Sequence, residues 1–405
     1  MRLVCRILLL LYISLSVYLT GDLRAETETP LINKKSVTAA GNSDNKSDVM
    51  EKTMDHQEDP PVVDIAALNK LSQVIESVRD RRIIYVGESH TNYAHHNVQL
   101  EVVRGLYNKG GKLAIGMEMF QRPFQKALDD YIAGNINERE FLKRSEYFKR
   151  WKYDYNLCKP ILDFAREKKI PVIALNQRKE IVDKVSRQGI DNLTAEEKMA
   201  IPAQIDLTDT QYKDKLKEVF ALHSMGPAGN FDYFFQAQVL WDETMSQSID
   251  DYFRGNPKLM KDGRMVVLAG GGHLAFGSGI PKRTYRRNGY SYSILLNDYE
   301  IEKDVADYIV IPKHTDGKTS PKLMVMLQET DNNSLVVAGF THGSVSEKAG
   351  LRKGDEILAM DGNEIHDMEG LMLELFFKKS GDVAKLKVKR RFLFWRIDTE
   401  IDVRL

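Results

Sequence analysis

Five short apolar runs, each long enough for a buried strand, are spaced along the first three quarters of the chain. They occupy residues 83–86, 113–117, 172–175, 265–268 and 294–296, and the last is expected to end the series. Apolar side chains recur at helical spacing in four other segments, at residues 65–79, 97–108, 122–133 and 157–168. Strands that alternate with helices predict an α/β fold with a mainly parallel sheet and flanking helices.

The segment from residue 178 to about residue 256 interrupts this alternation. It is mostly helical in pattern and contains no strand-like run. Such a length exceeds an ordinary crossover connection, and long insertions of this kind often cover functional sites. We therefore expect a helical insertion that caps one edge of the sheet.

A different pattern begins after a polar linker at residues 312–321. Three strand-like runs and one helix-like run follow, at residues 323–327, 335–340, 357–360 and 368–377. Gly350, Gly354 and the pair Asp361-Gly362 favour tight turns between them. The pattern predicts a small C-terminal β-rich domain over residues 322–405.

The first 61 residues have no pattern typical of a folded domain. Arg2 and Arg6 precede an apolar run that suits the core of a signal peptide and is short for a membrane span. Residues 1–25 are therefore predicted to be a signal peptide, or an N-terminal anchor if the imperfect cleavage signal is not used. Residues 26–61 are polar and are predicted to be a disordered tether. The α/β domain is then expected to span residues 62–311.

The composition excludes several classes of protein. Lys and Arg total 58, and Asp and Glu also total 58, so the absence of net charge argues against nucleic-acid binding through bulk electrostatics. The two cysteines, Cys5 and Cys158, cannot form a disulfide framework. Ser89 does not lie in a GxSxG motif and Cys158 has no adjacent base, so covalent catalysis is disfavoured.

Polar residues follow four of the predicted strands. Glu88 and His90 come after the first, Glu118 after the second, Asn176 after the third and His273 after the fourth. The carboxyl ends of parallel strands meet at one crevice, so these side chains are expected to form one site. A structural ion pair between Glu118 and a nearby arginine is the alternative, because a buried glutamate needs a partner.

Each motif allows more than one chemistry. An acid and an imidazole two positions apart suit a general base with its orienting group, or a pair of metal ligands. The run Gly270-Gly271-Gly272 allows close backbone approach to a ligand but is not a nucleotide-binding motif. His95 and His96 are expected to be solvated, while Ser89 or Asn92 caps the next helix.

Two aromatic segments could contact a flat ligand. Residues 147–155 place five aromatic side chains among cations, which suits a conjugated, partly anionic molecule, or else forms a loop anchored by Trp151. Trp241 and Asp242 belong to a helical stripe that is either ordinary core or the wall of a pocket.

The motifs GESH, MEMF, WxYxY, ALN, HSM, WDxxM and GGGH with GSGIP occur in this order over residues 71–298. The ordered set resembles the ChaN-like haem-binding family of the Tiki and erythromycin-esterase-like superfamily. The resemblance implies a bacterial envelope protein of haem or iron uptake. With the predicted leader, we expect it to be secreted across the inner membrane and to be periplasmic or membrane-anchored, with a homodimer as one form that would hold the haem. The resemblance further implies a tyrosinate ligand to the haem iron. Tyr155 is our first choice and Tyr233 the second, with His90, His223, His273 and Trp241 as further haem-binding residues.

The same superfamily supplies a rival hypothesis. In its hydrolytic branches the matching positions serve as base or metal ligands, which implies catalytic roles for Glu88, His90, Glu118 and His273. A divalent metal on Glu88, His90 and His273 would activate water for the hydrolysis of an ester or peptide. A binding protein is favoured over an enzyme.

The C-terminal sequence resembles PDZ domains, because GS, AGL, GDEIL and DG follow one another over residues 343–362. The resemblance implies a groove that binds an extended peptide or a protein C-terminus, with Lys322, Leu323, Met324 and Val325 at the binding strand. The alternative is a PDZ fold that only packs against the first domain. A basic run at residues 378–396, with aromatic residues, could contact an anionic membrane or simply be the solvated face of two strands.

Overall fold

The computed structural model describes residues 62–223, 230–330, 334–392 and 395–405, without the side chains of residues 222, 223, 258 and 260. The predicted signal peptide and tether therefore lie outside the described residues. Residues 69–405 belong to one compact unit, and a short 3-10 helix, Ile65–Ala67, precedes it. No helix in the described ranges combines the length and hydrophobicity that a bilayer crossing needs.

The first sheet has six strands in the spatial order β3-β2-β4-β1-β5-β6, and all neighbouring strands are parallel. The strands are β1 (Ile83–Glu88), β2 (Leu113–Gln121), β3 (Val172–Asn176), β4 (Arg264–Gly270), β5 (Tyr292–Asn297) and β6 (Tyr308–Val310). The predicted parallel α/β fold is confirmed. The expectation that β5 ends the series is wrong, because the three-residue β6, half-buried and too short to show a pattern, pairs beside it.

Within the described ranges, twelve α-helices accompany this sheet. They are α1 (Leu71–Val78), α2 (Tyr93–Asn108), α3 (Gln125–Ala133), α4 (Glu138–Arg144), α5 (Tyr147–Arg150), α6 (Lys159–Lys168), α7 (Lys179–Gln188), α8 (Ala195–Met199), α9 (Thr210–His223), α10 (Phe231–Gly255), α11 (Pro257–Asp262) and α12 (Ile280–Asn288). The predicted first helix is shorter than expected, since its opening residues form the separate 3-10 turn. Helices α4, α5, α11 and α12 lie outside the predicted helical segments.

Alternate residues of the central strands enter two different cores. Ile84 and Val86 of β1 pack with residues of α1, α2, α3 and α6 on one face. Ile83 and Tyr85 pack on the other face with a stripe of α10 that includes Met245. Every residue of β1 is buried, which is why its sequence is a continuous apolar run rather than an alternating one.

The helical insertion is more than the cap that its length predicts. Its longest helix, α10, carries Met245, Ile249 and Phe253 at four-residue spacing, and these side chains are buried against the sheet. The helix therefore forms part of a core layer. Its middle turns also carry Trp241 and Asp242 to the carboxyl ends of the strands.

The C-terminal sheet is antiparallel, with the order β12-β11-β9-β8-β7 and a short β10 beside β9. Its elements are β7 (Val325–Glu329), β8 (Leu335–Phe340), α13 (Val345–Lys348), β9 (Glu356–Met360), β10 (Asn363–Glu364), α14 (Met368–Phe376), β11 (Val383–Phe392) and β12 (Trp395–Arg404). Their apolar side chains enclose a core that includes Leu335, Ile357, Leu371 and Leu386. The predicted β-rich domain is confirmed.

Helix α14 joins the C-terminal domain to the first one. Its Leu373 and Phe376 are buried in the same core as the helices of the first domain, and the Phe376 ring lies 6.1 Å from Phe148 and 5.3 Å from Tyr155. Arg139 Nη1 lies 2.5 Å from Glu374 Oε1 at the rim. The two domains therefore share a hydrophobic interface.

A carboxyl group at this interface makes stability depend on pH. Glu369 is half-buried, and its Oε1 has no hydrogen-bond partner among the described residues. Burial raises its pKa to about 7, and Asp367 and Glu146 add to the effect, while Lys149 and Arg150 oppose it. Because the folded state holds this proton more tightly than the unfolded state, the free energy of unfolding should fall as pH rises from about 4.5 to about 7.

The substitution Glu369→Gln should therefore raise the melting temperature at pH 8 and leave it unchanged near pH 5. The change removes the buried negative charge and keeps a side chain of similar size. Thermal unfolding at both pH values measures the difference, with Glu364→Gln, at a side chain that is 80% exposed, as the control. Equal shifts at both pH values would contradict the pH dependence.

Candidate functional site

Strand β1 delivers an acid–imidazole pair to the carboxyl edge of the sheet. Glu88, its last residue, is 2% exposed, and its Oε1 lies 2.5 Å from Nδ1 of His90. Its Oε2 lies 3.8 Å from Nε2 of His96, in the first turn of α2. One buried carboxylate therefore faces two imidazoles.

The expectation that His95 and His96 are solvated is wrong, because both side chains are buried. His95 Nδ1 accepts a hydrogen bond from the Ser89 amide at 3.0 Å, and its Nε2 lies 3.0 Å from Asp298 Oδ2. This pairing fixes the loop after β1. Asn92, as predicted, caps the helix by accepting from the amide of Ala94.

Strand β2 supplies a second buried acid. Glu118 is 1% exposed; its Oε2 accepts a hydrogen bond from the amide of Gly270 at 2.7 Å, and its Oε1 lies 3.6 Å from Nε2 of His273. Its partners are thus a backbone donor and an imidazole, rather than the arginine considered as the alternative. The contact joins the ends of β2 and β4.

His273 has a second acidic partner on α10. Its Nδ1 lies 2.7 Å from Oδ1 of Asp242, and the hydroxyl of Tyr212 donates to Oδ2 of Asp242 at 2.6 Å. The Trp241 ring lies 5.4 Å from the His273 ring, and the Trp241 indole N–H donates to Asn176. The stripe on α10 is therefore both core and the wall of the site.

The aromatic segment after α5 covers His90. The His90 ring lies 4.7 Å from the ring of Trp151 and 5.3 Å from that of Tyr153. On its other side, a Cβ added to Gly270 would lie 2.9 Å from His90 Cε1, so only glycine fits there without displacing the imidazole. The hydroxyl of Tyr153 is buried and has no hydrogen-bond partner among the described residues.

These contacts define the strand-end cluster, which consists of Glu88, His90, Glu118, Asp242 and His273. The three carboxylates are at most 2% exposed, whereas the side chains of both histidines are 12% exposed. The imidazoles therefore lie at the surface of the cluster, above the acids. The parallel sheet brings together the polar residues that follow four of its strands, as their positions in the sequence predict.

The acids favour the protonated form of both imidazoles. Burial opposes charge on His90, but Glu88 outweighs it and raises the pKa of His90 above its usual value. Burial also opposes charge on His273, but Glu118 and Asp242 raise its pKa to about 9. Burial acts to raise the pKa of Glu88, yet His90 lowers it. His273 therefore carries positive charge at neutral pH, and the charged form of His90 is favoured.

Tyr155 does not reach this cluster. It is completely buried between Phe141, Tyr147 and Phe376, and its hydroxyl has no access to solvent. Tyr233 packs against Gly189, at the end of α7. The side chain of His223, which ends α9, lies outside the described residues. Tyr153, two positions before Tyr155, lies at the cluster instead.

The geometry gives no support to a divalent metal. In the part of the chain that the structure describes, no group of three or more His, Cys, Asp and Glu side chains has the spacing to hold a metal ion. The alternative that Glu88, His90 and His273 bind such an ion therefore lacks a ligand set. Two cavities, of about 610 and 340 Å³, lie away from the cluster.

Of the predicted peptide-binding residues, Val325 begins β7, an edge strand of its sheet, and the other three immediately precede it. Lys322 is exposed, Leu323 is buried in the C-terminal core, and Met324 has a φ of +58°. The carbonyl of Met324 accepts from the amide of Thr341. At the other end of β7, Oε1 of Glu329 accepts from the Met368 amide and ties the strand to the start of α14.

Two family models match the sequence. The first, described as haem-binding uptake, Tiki superfamily, ChaN, matches residues 74–284, which are 211 of the 405 residues. The chain belongs to the ChaN family. The second model, a PDZ domain, matches residues 321–399. Both resemblances seen in the motifs of this ChaN-family chain are confirmed, and the family is one of haem-binding proteins.

Solved structures provide a further comparison. The haem-binding ChaN of Campylobacter jejuni, described with cofacial haem binding, is 18% identical with a TM-score of 0.48, and the match covers 60% of this chain and 91% of that one. A mutant of the erythromycin esterase EreC is 15% identical with a TM-score of 0.34, covering 56% and 72%. An HtrA-type protease AlgW variant solved with a decapeptide is 20% identical with a TM-score of 0.19, covering 20% and 27%. No curated protein matched the sequence.

The residues that sequence reasoning missed share one property. Each contacts the strand-end cluster from another element or from a distant position in the sequence. His96 lies near Glu88, Tyr212 donates to Asp242, and Tyr153 contacts His90. Only Tyr153 carried a usable signal, because it lies within the WxYxY motif.

Proposed function

We propose that this chain binds haem at the strand-end cluster and that Tyr153 supplies the ligand to the haem iron. Membership of a haem-binding family supports haem as the ligand. The strand-end cluster is formed by residues of the motifs GESH, MEMF, WDxxM and GGGH. The observation that carries the proposal is the buried hydroxyl of Tyr153, which has no hydrogen-bond partner in the described part of the chain, on a ring that contacts His90.

Tyr153 fits the role on chemical grounds. Haem supplies a ferric iron, and a phenolate oxygen is a hard donor suited to it. Burial raises the pKa of Tyr153, and the charges of Glu88 and Glu118 raise it further, so the free phenol keeps its proton. A nearby metal cation would reverse this preference. Tyr153 is half-buried rather than enclosed, whereas Tyr155 has no open face.

The other residues of the site would hold and orient the ligand. Protonated His273, and His90 in the charged form that Glu88 favours, can pair with the acidic groups of haem. Trp151 and Trp241 provide aromatic faces beside the two imidazoles. Because the imidazoles lie at the surface of the cluster, a second copy of the chain would cover the side of the ligand that this surface leaves exposed.

Hydrolysis is the second candidate, because His90 and His273 each contact a carboxylate as a general base would. The raised pKa of each imidazole counts against it. His273, with a pKa of about 9, is already protonated at neutral pH and cannot accept a proton from water. The same charge favours an anionic ligand, so the geometry supports binding better than hydrolysis.

The C-terminal domain would recruit a protein partner. Strand β7 has an edge position and lies beside α14, which is the arrangement that lets an extended peptide add as another strand. Together with a predicted export signal, this suggests a protein of the bacterial envelope, periplasmic or membrane-anchored, in haem or iron uptake. Its PDZ domain would place the haem site near a partner in the same compartment.

A hemin titration of the purified full chain tests the haem proposal. We expect a saturable shift of the Soret band, and His90→Ala should weaken binding about tenfold because it removes a cation and an aromatic contact. A matched control is His366→Ala, at an exposed histidine of the C-terminal domain. The absence of any saturable shift would overturn the proposal.

A further inference from the structure

Strands β11 and β12 extend beyond the sheet that they belong to. The pairing of β11 with β9 ends at Lys389 opposite Glu356. The two strands continue as a two-stranded hairpin through the pairs Arg390–Ile397, Arg391–Arg396 and Phe392–Trp395. Residues 393–394, which join them, lie outside the described residues. We call residues 389–392 and 395–397 the hairpin tip.

The two faces of the hairpin tip differ in character. Side chains alternate along a strand, so Phe392, Trp395 and Ile397 lie on the face that carries the buried core residues Leu386 and Val388 further back. At the tip no core remains to cover this face. The three side chains are 58%, 74% and 45% exposed, respectively. The apolar face of the sheet thus continues into solvent.

The opposite face of the tip is basic. Arg391 and Arg396 are paired directly across the strands, where like charges repel each other. Neither Arg391 nor Lys389 forms an ion pair with a described residue, and Arg396 reaches Glu356 only at 3.6 Å. An anion brought to this face would relieve the repulsion.

The base of the tip is held firmly. Arg390 donates from Nε and Nη2 to the two carboxylate oxygens of buried Asp355, at 2.8 and 2.6 Å, and from Nη2 to the carbonyl of Gly350. This bidentate pair fixes the hairpin at the point where it leaves the domain. The exposed aromatic side chains are therefore presented on a rigid support.

We propose that the hairpin tip binds the surface of an anionic lipid bilayer. Trp and Phe side chains favour the boundary between headgroups and acyl chains, and arginines beside them can reach lipid phosphates. The tip offers both features within two adjacent residue pairs. Arginines beside exposed aromatic side chains match the phosphate layer and the acyl boundary of an anionic bilayer, so charge complementarity favours the lipid.

Quenching of tryptophan fluorescence tests this contact in the full chain. Vesicles of phosphatidylglycerol and phosphatidylcholine with brominated acyl chains quench only indoles that enter the bilayer. Trp395 is the most exposed of the three tryptophans, since Trp151 and Trp241 are half-buried. We expect quenching with anionic vesicles that disappears in Trp395→Phe. This readout does not depend on whether residues 1–25 also attach the chain.

Charge variants separate a specific contact from general attraction. Arg391→Gln with Arg396→Gln should reduce the quenching about tenfold at limiting lipid, whereas Lys385→Gln with Arg404→Gln removes equal charge from the exposed far end of the same hairpin and should not. Equal losses in both pairs, or no quenching of Trp395, would overturn the proposal. Lipid-independent association that Trp395→Phe abolishes would also overturn it, in favour of a second copy as the partner.

Discussion

Replacing Tyr153 by phenylalanine is expected to lower the affinity for hemin by at least about 100-fold and to abolish the absorption bands of a phenolate-ligated ferric haem. The change removes one oxygen and leaves the ring contacts with His90 and Trp151 in place. Because the hydroxyl has no protein partner among the described residues, its loss should not destabilise the fold. Optical titration and electron paramagnetic resonance of the loaded chain measure the two effects.

Two other tyrosines provide matched controls for this prediction. Tyr155→Phe changes a phenol in the buried core, and Tyr233→Phe changes one that packs against Gly189. Both variants should keep the affinity and the spectrum of the natural chain. Loss of the phenolate spectrum in Tyr155→Phe, with Tyr153→Phe unaffected, would show that the core must open for haem and would refute the assignment.

Phe376→Ala is expected to lower the free energy of unfolding by about 3–5 kcal/mol. The side chain is 3% exposed, and its ring packs between Phe148 and Tyr155, so truncation leaves a cavity where the two domains meet. Chemical denaturation followed by circular dichroism measures the change. Phe392→Ala, at a side chain that is 58% exposed, should change stability by less than about 0.5 kcal/mol.

A small effect of Phe376→Ala would have a clear meaning. If stability fell by less than about 1 kcal/mol, the interface would contribute little, and the domains would unfold as independent units. Two separate unfolding transitions in the natural chain would support the same conclusion. The shared core instead predicts one cooperative transition for both domains.

The sequence predicts the fold well where a local pattern dominates. Strand β1 is buried on both faces, so its apolar run marks it clearly, and the strand endings then indicate where Glu88 and His273 lie. Strand β6 was missed because three half-buried residues carry no periodic signal. Helices α4 and α5 were missed because such short helices resemble loops in sequence. In α4, for example, only Phe141 and Leu142 are buried.

The tyrosine assignment shows where sequence reasoning fails. Tyr153 and Tyr155 stand two positions apart in one motif, and nothing local distinguishes them. Tyr155 is buried partly because Phe376, from the other domain, covers it. Such a contact depends on the packing of both domains, so no reading of residues 147–155 alone could reveal it.

Helix α14 also limits how the specificity of the peptide groove can be redesigned. Leu371 packs in the C-terminal core, while Leu373 and Phe376 pack in the interface with the first domain. Substitutions along this helix would therefore lower the stability of the whole molecule before they changed the peptide selectivity of the groove. New peptide recognition is better engineered from β7, where Met326 and Gln328 are exposed.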